Sequence, residues 1–93
     1  MYVATIRAEL HLPHAQSLKD KRQVLNRLKD RLRATHAAVA EVEHQDLWQR
    51  ATLGMAIVTG EPAGLAEMLQ SLRDIVERQP ELVVLDWNVR HHE

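Results

Sequence analysis

The fold is decided by Ala38-Val39-Ala40-Glu41-Val42-Glu43, then His44-Gln45-Asp46, then Trp48-Gln49-Arg50-Ala51-Thr52-Leu53-Gly54-Met55-Ala56-Ile57-Val58-Thr59. Both long runs alternate with the period of two that a half-buried strand requires. In the second, Leu53, Met55 and Ile57 share one face, and Arg50, Thr52, Gly54, Ala56 and Val58 share the other. The polar triplet between the runs reads as a turn, so the centre of the chain is an antiparallel hairpin with its second strand over 48–59.

Working outward, a helix pattern lies on either side of the hairpin. Toward the N-terminus, Ser17 is a helix N-cap and Asp20, three residues later, completes a capping-box pattern. Leu18, Val24, Leu25, Leu28 and Leu32 fall in one arc of a 3.6-residue wheel, which predicts a helix over 18–34. Toward the C-terminus, Pro62 suits a first helical turn. Leu65, Met68, Leu69, Leu72, Ile75 and Val76 then form a compact apolar stripe until Pro80.

Beyond each helix lies one more strand. In residues 2–12, Tyr2, Ala4, Ile6, Ala8 and Leu10 alternate with Val3, Thr5, Arg7, Glu9 and His11, and Pro13 ends the run. In residues 81–91, Val83, Leu85, Trp87 and Val89 read as inward, and Asp86, Asn88 and Arg90 as outward.

The resulting order βαββαβ is the split βαβ, ferredoxin-like arrangement, an α+β class. We expect one domain over residues 1–93, with a four-stranded antiparallel sheet in the order 4-1-3-2 and both helices on one face. Leu25, Leu28, Leu32, Leu53, Ile57, Leu69, Leu72, Leu85 and Val89 are the expected core. Two amphipathic helices cover one sheet face and leave the other open. On that open face Val3, Val39 and Val58 are expected at one end, and Arg7, Glu9, Glu41, Glu43 and Arg50 at the other.

Composition narrows the function classes. With no cysteine, a disulfide framework, a thiolate metal site and a cysteine nucleophile are excluded. The N-terminal residues lack the basic-then-apolar pattern of a signal peptide, and no apolar run reaches the ~20 residues of a membrane helix. A cytoplasmic protein without membrane association is expected. The net charge of −1 argues against a general nucleic-acid coat protein. The charge is nevertheless polarised: Lys19, Lys21, Arg22, Arg27, Lys29, Arg31 and Arg33 stand in the first helix against only Asp20 and Asp30.

Familiar catalytic constellations are missing. Among His11, His14, His36, His44, His91 and His92 no pair has the i, i+4 spacing of a helical metalloprotease site. His91-His92-Glu93 reads as a polar terminus that could also chelate adventitious metal. Glu41 and Glu43, beside Arg7 and Arg50, read as a solvated ion-pair network rather than a pair of catalytic acids. Three glycines cannot build a phosphate loop. An RNA-recognition motif needs aromatic residues where the central strands here carry Val3, Thr5, Arg7, Thr52, Gly54 and Ala56. The acylphosphatase signature is absent as well.

The first helix start breaks a local rule. Lys19, Lys21 and Arg22 crowd the end where the helix dipole already disfavours cations, by ~0.3–1 kcal/mol each. Lys21 also falls inside the apolar arc, between Leu18 and Leu25. Either its stem packs on the core edge and its ammonium reaches water, or the three cations and the free helix N–H groups form an anion site. Trp48, at the start of its strand, either caps the core or stacks on a base.

The block Ser17-Leu18-Lys19-Asp20-Lys21-Arg22 matches an S-L-K-x-K-R pattern, and Asp46-Leu47-Trp48-Gln49-Arg50-Ala51 matches D-x-W-Q-R-A. With the intervening Val39-Ala40-Glu41-Val42, these make the chain resemble the YlxP-like family of small bacterial proteins, a domain of unknown function. The resemblance implies the ferredoxin-like fold and no known activity. Genes of that family sit, in some bacteria, among translation-initiation and ribosome-maturation genes, which points toward RNA or the ribosome.

The function expected is a non-enzymatic accessory factor, without cofactor or metal, associated with RNA or the ribosome. Its expected nucleic-acid or anion contacts are Lys19, Lys21, Arg22 and Arg27, with Trp48 and Arg50 approaching from across the sheet. The alternative is a small-molecule or anion-binding regulatory module. A homodimer through the open face, or the edge beside it, is expected as well.

Overall fold

The computed structural model describes residues 1–92. Its elements are β1 (Tyr2–His11), α1 (Leu18–Arg33), β2 (Ala38–Glu43), β3 (Arg50–Thr59), α2 (Pro62–Glu77) and β4 (Val83–His92). The strands pair antiparallel in the order β2-β3-β1-β4, the ferredoxin-like topology read from the alternation.

Both helices lie on one face. Leu25, Leu28 and Leu32 of α1 and Leu65, Leu72 and Val76 of α2 share one core with Ala4, Ile6, Ala8 and Leu10 of β1 and Ala51, Leu53, Met55 and Ile57 of β3. Leu69 and Val89 pack against it, partly buried. Burying each Leu or Ile side chain contributes ~1.5–3 kcal/mol. Helix α1 begins where its cap predicts: the Ser17 hydroxyl accepts the Asp20 N–H at 3.0 Å, and the Asp20 carboxylate accepts the Gln16 N–H at 3.0 Å. Pro62 opens α2.

Two bulges shift the faces from those expected. In β2, Glu41 stands opposite Leu53 but Glu43 stands opposite Thr52, so Val42 is the extra residue. Val39 therefore lies on the core face opposite Met55, buried, and Glu41 points toward the helices rather than the open face. Strict alternation puts Glu41 and Glu43 on one side; one inserted residue separates them. Ala38, Ala40 and Val42 occupy the open face in their place, and a Cβ built on Gly54 would meet Val42 Cγ1 at 3.0 Å.

In β4, Glu9 faces Asp86 and Leu10 faces Val84, which leaves Leu85 as the extra residue. Val84 turns to the core, and Leu85 is 51 % exposed instead of buried. Val83 is exposed for the same reason. Strand β3 begins at Arg50, two residues later than expected, so Trp48 and Gln49 belong to the preceding loop.

Candidate nucleic-acid interface

Lys21 does not face solvent. It is 1 % exposed, and its ammonium donates to the carbonyl oxygens of His44 at 2.6 Å and Leu47 at 2.7 Å. Glu41 Oε2 lies 2.7 Å from the same nitrogen, at ion-pair distance but off the hydrogen-bonding direction. A buried ammonium must be paired and hydrogen-bonded to persist, and the β2 bulge supplies the carboxylate that does so. Lys21 therefore neither reaches out to water nor contributes to an external anion site. It ties α1 to the loop between β2 and β3.

That loop is also held from its far end. Gln49 donates from its side-chain amide to the carbonyls of Pro13 at 3.2 Å and Ala15 at 3.1 Å, and its own carbonyl accepts the Leu12 N–H at 2.9 Å. Within the loop, Leu47 N–H donates to the His44 carbonyl at 3.0 Å, across a chain reversal in which His44 has a φ of 64°. Two large apolar side chains of this moored segment are exposed: Leu47, at 47 %, and Trp48, at 52 %. Trp48 thus neither caps the core nor joins β3. The two sequence blocks of the family resemblance meet here, Lys21 of the first holding Leu47 of the second.

The other candidate residues divide. Lys19 and Arg22 are exposed on the same turn of α1 and have no ion-pair or hydrogen-bond partner among the described residues. Arg27 leans on Glu81 at 3.4 Å, an exposed pair worth ~0–1 kcal/mol. Farther along, Arg31 donates to Gln79 at 3.0 Å and Arg33 to the Val39 carbonyl at 3.2 Å.

Arg50 lies on the open face, across the sheet from α1, 3.8 Å from Glu9 Oε2. There Glu9 also accepts the Thr52 hydroxyl at 2.7 Å and pairs with Arg7 at 3.2 Å, while Arg7 reaches Glu43. The structure therefore brings Trp48 and Arg50 together with Leu47 around one shallow concavity of about 400 Å³, leaves Lys19 and Arg22 exposed at the start of α1, and withdraws Lys21 to the interior.

Sequence reading missed Leu47 as an exposed apolar residue and Gln49 as the tie to the first loop. It also missed a groove of about 540 Å³ between α2 and β4, where Leu69, Trp87 and Arg73 meet Tyr2 and His91. The Arg73 guanidinium sits 5.2 Å from the Trp87 ring centroid and covers it. Of the terminal triplet His91-His92-Glu93, Glu93 lies outside the described residues, and His92 is hydrogen-bonded to Thr5 at 2.8 Å. Among the described residues no helix is long and apolar enough to cross a membrane.

Residues 3–89 match the family described as "Protein of unknown function (DUF503)". The chain is 33 % identical over 69 residues to "Uncharacterized protein YlxP" of Bacillus subtilis (strain 168), covering 73 % of this chain and 75 % of that protein. Among solved structures it is similar to two de novo designs. One is Foldit4, with a TM-score of 0.55, 9 % identity, and 99 % and 96 % of the two chains covered. The other is LFR1 1 with ferredoxin fold, with a TM-score of 0.57, 11 % identity, and 97 % and 86 % covered. At such identities the designs speak to the fold alone.

Proposed function

The chain belongs to the DUF503 family, and on that premise we propose that it is a non-enzymatic accessory factor that contacts RNA, free or within the ribosome. The contact surface is the exposed pair Leu47-Trp48 with Arg50 beside it, extended by Lys19 and Arg22 exposed at the start of α1. The observation that carries this reading is the state of Trp48: a large aromatic ring left half in water, on a loop clamped at one end by Lys21 and at the other by Gln49.

A ring carried on a tied backbone leaves less chain to order when a base stacks on it, and base–aromatic stacking contributes ~1–3 kcal/mol per base. Lys19 and Arg22, exposed at the start of α1, supply phosphate contacts without first breaking an internal ion pair. The alternative of an anion-binding module at the start of α1 is weaker. Lys21 is withdrawn from it, and Ser17 and Asp20 already satisfy local backbone donors.

The test is titration of an unstructured RNA oligonucleotide while following tryptophan fluorescence. Two phosphate contacts on a single strand give a slope of about −1.4 in log K against log salt. Lys19→Gln with Arg22→Gln should flatten that slope, and Trp48→Ala should weaken binding ~5- to 150-fold at unchanged slope. Absence of binding at low salt, or equal binding by the Trp48→Ala protein, refutes the reading. Full competition by inorganic phosphate at unchanged ionic strength would favour the anion module instead.

A further inference from the structure

The open face of the sheet has a charge pattern that is complementary to itself. Across β2, β3, β1 and β4 its middle row is Ala40, Gly54, Arg7 and Asn88. On one side of that row stand Ala38, Ala56, Thr5 and Arg90; on the other stand Val42 with Glu43, Thr52, Glu9 and Asp86. Arg90 and Asp86 are exposed, flank Asn88 at equal steps, and have no ion-pair partner among the described residues. Every other charge on this part of the face is engaged: Arg7 with Glu9 and Glu43, and Arg50 with Glu9.

We infer that this face binds a second copy of the chain, about a two-fold axis running across the strands through the Gly54–Arg7–Asn88 row. That operation sets Arg90 of each copy against Asp86 of the other and makes two identical ion pairs, as an isologous interface requires. It also lays the Ala38–Ala56 side of one copy over the Val42–Thr52 side of the other. The shallow concavity of about 500 Å³ over Gly54 and Ala56, walled by Val42 and Arg90, receives the partner's small side chains. The two Arg7 guanidinium groups meet near the axis, each already neutralised by its own Glu9 and Glu43.

The area sets the strength. Four strands ~4.8 Å apart, with four facing residues ~6.8 Å apart along each, cover on the order of 500 Å² per copy. About 1,000 Å² in total is the lower edge for a specific interface, so association in the range of tens of micromolar is expected rather than an obligate dimer.

Sedimentation velocity from about 5 to 500 μM tests the assembly on the full chain. Wild-type protein should pass from monomer to dimer across that range. Asp86→Arg and Arg90→Asp should each remain monomeric, because each sets like charges in opposition. Both positions are exposed, and unchanged far-UV dichroism and melting confirm the fold of each variant.

Two restorations are specific to this geometry. The double exchange Asp86→Arg with Arg90→Asp should dimerise again, and an equimolar mixture of the two single variants should form a heterodimer. Wild-type protein that stays monomeric at 500 μM overturns the inference. So do single variants that dimerise as well as wild type, or a double exchange and a mixture that both fail to associate.

Discussion

Replacing Lys21 with methionine removes the ammonium and keeps most of the stem. Had the side chain only packed along the core edge, the change would be close to neutral. The structure demands a large effect. The substitution strands the Glu41 carboxylate beneath the helix and leaves the carbonyls of His44 and Leu47 without their donor. Breaking a buried pair by deleting one partner costs ~3–5 kcal/mol. The low end applies, because the Glu41 side chain is 17 % exposed and recovers some water, as do carbonyls in a surface loop.

A loss of about 3 kcal/mol corresponds to a fall in Tm of ~12–24 °C for a domain of this size, from a total stability of ~5–15 kcal/mol. Urea unfolding followed by far-UV dichroism measures it. Lys21→Met combined with Glu41→Leu removes the stranded charge and should recover most of the loss, since apolar replacement of a buried pair is often neutral or better. A Lys21→Met protein within ~0.5 kcal/mol of wild type would refute the staple, as would a double variant no more stable than the single one.

Two further perturbations separate the elements. Leu85→Ser, on the β4 bulge, should alter stability by less than ~0.5 kcal/mol in urea titration, whereas Leu72→Ala in the core should cost ~2–5 kcal/mol. Gln49→Ala removes both side-chain ties to the first loop, keeping the backbone bond to Leu12, and should cost ~1–2 kcal/mol. Amide exchange should show the gain in mobility confined to residues 44–49 and the segment before α1.

Topology was legible because period-two and period-3.6 runs alternate without interruption, and because Ser17, Pro62 and Pro80 punctuate them. What could not be read was parity. Nothing in Glu41-Val42-Glu43 marks Val42 as the inserted residue, and nothing in Val83-Val84-Leu85 marks Leu85, since bulges are settled by pairing with a distant strand. The misplacement of Val39, Glu41 and Leu85 follows from those two insertions.

Lys21 shows the same limit at the candidate site. Its place inside an apolar arc was visible as an anomaly, but its partner was not, because Glu41 reaches it only when the β2 alternation is broken. The exposure of Trp48 was likewise invisible, since strand pairing starts two residues after it and the hydrogen bonds that hold the loop join it to Lys21, Pro13 and Ala15, remote in sequence.

The two irregular strands are also the outermost ones, β2 on one margin and β4 on the other. An outer strand presents a row of free N–H and C=O groups on which another chain can template itself, and the remedy is to interrupt its regularity. The extra residue at Val42 and that at Leu85 each break the repeat partway along the strand. The regular run is cut to Ala38–Glu41 in β2 and to Asp86–His92 in β4, so lateral addition of chains is opposed most at the β2 margin. A two-fold contact on the broad face, as inferred above, would by contrast close on itself and stop at two.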